Sequence, residues 1–144
     1  MRAYYFQQTF GELYHDTDKD YYVIAPKGFL NLDKWKQLMT ATLKLVETKK
    51  FTKALADHRQ MEIINQEGQN YIAGEVFPKL FQLGLRCVAV VENENVFSQV
   101  TADKVYEQAE QKAAKSNINF QEARFVTIQQ AENWLNAAQL AKAI

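Results

Sequence analysis

The sequence is poor in the residues from which most functional motifs are built. One cysteine, Cys87, among 144 residues excludes an internal disulfide. Five glycines and two prolines exclude collagen-like or linker-rich chains. Those glycines, at 11, 28, 68, 74 and 84, form neither a G-x-G-x-x-G nor a Walker-type pattern, so a backbone cradle for pyrophosphate lacks its residues. His15, His58 and Cys87 do not supply the three suitably spaced ligands of a zinc site, and no metal or other cofactor is expected. No G-x-S-x-G elbow provides an activated serine. Net charge is also missing: 17 Lys+Arg balance 17 Asp+Glu, which removes the whole-chain electrostatic case for nucleic acid. No apolar run approaches the ~18 residues of a membrane span, and the N-terminal residues lack a signal-peptide core. A soluble, cytoplasmic protein is expected.

What is present is an ordinary globular balance, 47% apolar and 24% charged, enough for one domain over residues 1–144 with a real core. The first thirty residues read as two or three strands. Phe10, Leu13 and Tyr14 face Tyr21 to Ala25 across the polar run 16–20, which suits a hairpin turn. Asn31 is placed to cap a helix whose apolar stripe is Leu32, Trp35, Leu38, Met39, Thr42, Leu45 and Val46. A buried strand follows around Ala54-Leu55-Ala56. A second helix from about Asn65 carries Ile72, Val76, Leu80 and Leu83, with a kink or a break expected at Pro78 and a stop at Gly84. Cys87 to Val91 is apolar on both faces, as an internal parallel strand should be, and its thiol reads as a core group. Val96 and Phe97 suggest a short turn before a helix capped by Thr101 and ending near Lys115. Residues 120–126 read as an edge strand. Thr127 and Gln130 make a capping box for a last helix with Ala131, Trp134, Leu135, Ala138 and Ala141 inward. Alternation of strands and helices after an opening hairpin predicts one α/β domain: a mixed sheet, parallel in its second half, with about four helices on it.

Chemistry is concentrated at Asp57-His58-Arg59, just past the C-terminal end of a parallel strand, where open α/β sheets bind ligands. Asp57 could orient His58 for proton transfer, with Glu92 or Glu94 as the second group across a crevice, or Arg59 could receive an anion. The bland alternative is that Asp57 ends its strand and Arg59 pairs with a surface carboxylate. His15 reads as an exposed strand residue. The balanced charge is uneven along the chain: residues 27–59 carry +5, residues 1–26 carry −2 and residues 60–144 carry −3. The basic first helix reads mainly as a solvated face that could also meet an acidic partner. Trp35 and Trp134 fall on apolar stripes and are not interleaved with lysines as a nucleic-acid platform requires.

The strand order, Leu55-Ala56-Asp57 before a loop and helix, Tyr71-Ile72, Phe77-Pro78-Lys79-Leu80 and Leu83 to Val91 together resemble the SpoIIAA-like (STAS-type) family, in particular its bacterial members of unknown function. The resemblance implies a single SpoIIAA-like domain, a regulatory or interaction role rather than catalysis, and a protein partner, possible homodimers included. It places the partner-facing surface at the loop and helix start that here hold Asp57, His58, Arg59, Asn65 and Gln66. Family members that antagonise anti-sigma factors switch by phosphorylation of a Ser or Thr there, a dianion at a helix N-terminus. No Ser or Thr occurs between Lys53 and Phe97, so that switch lacks its acceptor. Two other readings accompany this one: a carrier of a small apolar ligand or lipid in an aromatic-lined cavity, and an enzyme using Asp57 and His58.

Overall fold

The computed structural model describes residues 1–138; Ala141, assigned above to the last apolar stripe, lies outside them. Six strands form one sheet in the order of the chain: β1 (Arg2–Gln8), β2 (Gly11–Asp16), β3 (Tyr22–Pro26), β4 (Lys53–Asp57), β5 (Cys87–Val91) and β6 (Gln121–Phe125). The first three are antiparallel and the last three join in parallel, so the sheet is mixed as expected. Between the parallel strands run α1 (Leu32–Lys49), then α2 (Gln66–Tyr71) leading through a π turn at Ile72–Val76 into α3 (Phe77–Leu83), then α4 (Val96–Lys115). Helix α5 (Ile128–Ala137) closes the chain.

The two sheet faces are covered unequally. Helices α1, α2, α3 and α4 bury the larger core, in which Leu13, Trp35, Leu38, Val46, Ala73 and Ala109 are almost fully enclosed. On the opposite face α5 is the one helix among the described residues that covers the parallel strands, with Ala131 and Leu135 against Leu55, Cys87 and Ala89. Cys87 is buried, and burial pushes its thiol above its ordinary range. Trp35 is core as expected, whereas Trp134 is half-buried and stacks at a tilt on Phe125.

Local chemistry explains the boundaries. Asn31 caps α1 by accepting from the Lys34 N–H, and Lys50 ends it in the left-handed region. The Thr127–Gln130 capping box opens α5. Gly84, with φ 108°, ends α3 where an L side chain would be strained. The interruption expected at Pro78 takes the form of a π turn: the Phe77 N–H reaches back to the Ile72 carbonyl, and Pro78 falls in the first turn of α3, where its missing N–H costs nothing. Three expectations are corrected. Val96 and Phe97 are not a separate turn, nor is Thr101 a cap. Asn95 caps α4, accepting from the N–H groups of Phe97 and Ser98, because an asparagine there precedes the whole periodic segment. His15 is half-buried, not exposed: its Nε2 lies 2.7 Å from the Lys19 carbonyl and its ring meets Phe51 edge-on.

Lys53 belongs to the basic stretch 27–59 but lies beyond α1. It lies in β4 with its side chain buried, donates to the Leu135 carbonyl at 2.7 Å and pairs with Asp20 at 3.2 Å. A cation thus meets the last turn of α5, where the helix dipole favours it.

Candidate functional site

The C-terminal ends of β4 and β5 and the first turn of α4 enclose a surface crevice of about 460 Å³ lined by Arg59, Glu92, Asn93, Glu94, Gln99 and Val126. Parallel pairing builds it: the His58 N–H bonds the Val91 carbonyl and the Glu92 N–H bonds the Phe125 carbonyl, so the loops after β4 and β5 leave the sheet side by side. Asn93 ties them together. Its side-chain amide donates to the carbonyls of Met61 (2.6 Å) and Arg59 (3.2 Å), while its Oδ1 accepts from the Asn95 N–H. Gln99 donates to the Asn93 carbonyl at 2.7 Å, and the Thr101 hydroxyl accepts from the Ile64 N–H at 3.0 Å. The loop after β4 is therefore tied to the β5–α4 loop and to α4, in addition to its own Met61 N–H to His58 carbonyl bond and its backbone bonds with Gly28.

The residues singled out from the sequence separate here. Asp57 and Arg59 form a two-pronged pair, Nε to Oδ1 and Nη2 to Oδ2 both at 2.9 Å, and Asp57 also accepts from the Arg59 N–H. This is the bland arrangement: a carboxylate that closes the loop and occupies its own neighbour. His58 points the other way, into the larger core, with only 7% of its surface exposed. Its ring hydrogen-bonds to no described residue and stands 6.3 Å from the Tyr106 ring. Burial holds the imidazole neutral, its pKa lowered to about 4. Consecutive residues at a strand end face opposite sides, so Asp57 and His58 cannot act as one acid–base unit. Asn65 caps α2 by accepting from the Gly68 N–H at 2.9 Å, and Gln66 is exposed and donates to Asn70. Of the five residues, only Arg59 lines the crevice.

Glu92 and Glu94 do reach it, as expected. Burial and the nearby Asp103 push the Glu92 carboxyl above its ordinary range, against the pull of Arg124. Arg124 is itself committed to Glu122 at 2.7 Å and Asp103 at 2.8 Å. The apolar element at this end was not recognised from the sequence. Val96, Phe97 and Val126 are 66%, 74% and 78% exposed, and Ile63 and Val100 are exposed beside them. The available signal was an apolar pair directly after the polar run 92–95, at the start of a helix whose core stripe begins later.

Beneath His58 the interior holds a cavity of about 50 Å³, bordered by Tyr22, Trp35, Thr42, His58 and Tyr106 among aliphatic groups. That is the scale of one or two water molecules. Among the described residues no cluster of His, Cys, Asp or Glu is arranged to hold a metal ion. No helix among them is long and apolar enough to cross a membrane.

No protein-family model and no curated protein matches the sequence. Solved structures do match in shape. The anti-sigma factor antagonist SpoIIAA in its unphosphorylated form aligns with 96% of this chain and 100% of its own, at TM-score 0.56 and 9% identity. A Thermotoga maritima protein assigned as an anti-sigma factor antagonist aligns over 82% of this chain and 89% of its own, at TM-score 0.52 and 15% identity. An uncharacterised Shewanella loihica protein with a SpoIIAA-like fold covers 94% and 92% of the two chains at 15% identity, its TM-score of 0.46 adding no weight. At these identities the likeness establishes the fold, and that fold is SpoIIAA-like, as the resemblance read from the sequence implied.

Proposed function

We propose that this chain is a non-catalytic regulatory module that binds another protein through the rim of the crevice at the C-terminal end of its parallel strands. The observation that carries the reading is the exposed group Ile63, Val96, Phe97, Val100 and Val126 around a crevice edged by Arg59, Glu92 and Glu94. A cluster of exposed apolar side chains beside charged ones is the composition of a recognition surface. The rim is rigid because Asn93, Gln99 and Thr101 fix its loops. Two solved structures of this shape are of anti-sigma factor antagonists, and this favours a regulatory role. The segment 53–97 holds no Ser or Thr, so the module works without a Ser/Thr phosphoswitch in that loop. A second copy of this chain is the first partner to test, and a cytoplasmic setting is proposed with it.

The other two readings gain no support from the geometry. A lipid or other apolar ligand requires far more room than the cavity offers, and an enzyme built on Asp57 and His58 requires a pair that the strand end separates. The test is affinity purification from the native host with the wild type and with Phe97→Asp/Val100→Asp. A specific partner, or self-association measured by light scattering, should be retained by the wild type and lost by the double variant while circular dichroism stays unchanged. A partner retained equally by both forms would place the interface elsewhere and overturn the proposal.

A further inference from the structure

A second surface lies on the other edge of the sheet. Among the described residues β1 pairs only with β2, and one side of its seven-residue backbone has no neighbouring strand. Edge strands are ordinarily guarded by charge, proline or a cover. β6, the opposite edge, has Glu122 and Arg124 in a cluster of ion pairs. β1 has a single charge, Arg2, no proline, and exposed Tyr4 and Tyr5. Its irregularity is a register shift between Tyr4 and Phe6 that leaves Tyr5 out of the ladder. Such bulges re-aim a side chain, and Tyr5 here forms one wall of a groove against α1.

That groove, about 330 Å³, has Ala41 and Leu45 along its side, with Lys44, Thr48 and Lys49 at its border. Neither lysine forms an ion pair among the described residues, and no acidic side chain borders the groove. We propose that the β1 edge and this groove form a docking site for an extended acidic segment of a partner protein, which adds to the sheet as a seventh strand. Main-chain hydrogen bonds to β1 would supply affinity, an apolar side chain would cover Ala41 and Leu45, and carboxylates would meet Lys44 and Lys49. The charges argue against a second copy of this chain in the same place. A two-fold β1–β1 pairing brings the two α1 helices together on one face, lysine against lysine. The site lies near the end of α1, towards the opposite end of the sheet from the crevice, and is independent of the rim.

The experiment is fluorescence anisotropy with labelled octapeptides alternating glutamate with valine or threonine, combined with backbone amide hydrogen exchange on the full chain. Saturable binding is expected, with slowed exchange in β1 and none in β6. Lys44→Glu/Lys49→Glu, both exposed positions, should weaken binding by about tenfold or more. The same peptides with lysine for glutamate should not bind, and Phe97→Asp should leave binding intact. Absence of saturable binding, binding without protection of β1, or binding indifferent to the charge reversal would each overturn the proposal. So would concentration-dependent protection of β1 in the peptide-free protein together with a dimer in sedimentation equilibrium, which would assign the edge to a second copy.

Discussion

Trp35 and Gly68 are packed so closely that a methyl group between them has no room: a Cβ on Gly68 would stand 2.9 Å from Trp35 Nε1. The same Cβ would be 3.0 Å from Ile64 Cγ2, and both neighbours are buried. The indole N–H has no hydrogen-bond partner among the described residues, and its contact with Gly68 is one of packing. It fixes α2 against α1 directly after the loop that borders the crevice. Gly68→Ala should therefore destabilise the protein by about 1–3 kcal/mol through overpacking, with a shift in tryptophan emission. Gly74→Ala is the matched control, because nothing lies within 4 Å of its Cβ position. Urea denaturation should find that variant neutral or stabilised by up to ~1 kcal/mol.

His58 makes stability depend on pH. The ordinary imidazole value of 6.5 applies to the unfolded chain, whereas the buried ring resists protonation until about 4. Between these values the unfolded state binds more protons, so stability declines as pH falls from about 6.5 to about 4, and the slope from this group ends below that. The full contribution is about 3 kcal/mol. His58→Gln should remove it, seen as a flatter difference in denaturation midpoints over that interval. Equal pH profiles for variant and wild type would contradict the burial.

Lys53 anchors α5, the only helix among the described residues on its side of the sheet. Lys53→Met keeps the aliphatic stem but removes the ammonium from the Leu135 carbonyl and Asp20, leaving that helix-terminal carbonyl with the longer bond from the Ala138 N–H, 3.3 Å. A loss of about 1–3 kcal/mol is expected. Amide exchange should accelerate in α5 first, before the helices of the larger core respond.

Asn95 and Thr101 can be told apart by substitution. Asn95→Ala should cost about 1 kcal/mol as a lost N-cap. Thr101→Val should leave α4 intact and instead free the Ile64 N–H, with faster exchange confined to residues 61–65. Thermal denaturation and exchange together distinguish the two outcomes.

Much of this architecture was readable in the sequence because its signals are local. Asn31, Gly84 and the Thr127–Gln130 box act within a turn of their own position, and the 3.6-residue stripe from Trp35 to Val46 depends on nothing outside α1. The errors have a common origin in contacts remote in sequence. The burial of Lys53 is illegible because its partners Asp20 and Leu135 are invisible until the strands align. Thr101 looked like a cap because a hydroxyl before an apolar repeat usually is one; its actual neighbour is Ile64. The position of the crevice followed from where parallel strands end. Its composition did not, since Asn93, Gln99 and Val126 come from two loops and a helix separated by a whole crossover, and Asp57 and His58, adjacent in the chain, diverge in space.

The strand order, identical to the order of the chain, bears on synthesis. Each strand that leaves the ribosome has as its partner the strand made immediately before it, so no strand must wait with an open edge for a distant one. Pairings between consecutive elements keep loop-closure costs low and shorten the search. The antiparallel hairpins come first, each parallel strand then arrives with its covering helix, and the sheet can be laid down one strand at a time as translation proceeds.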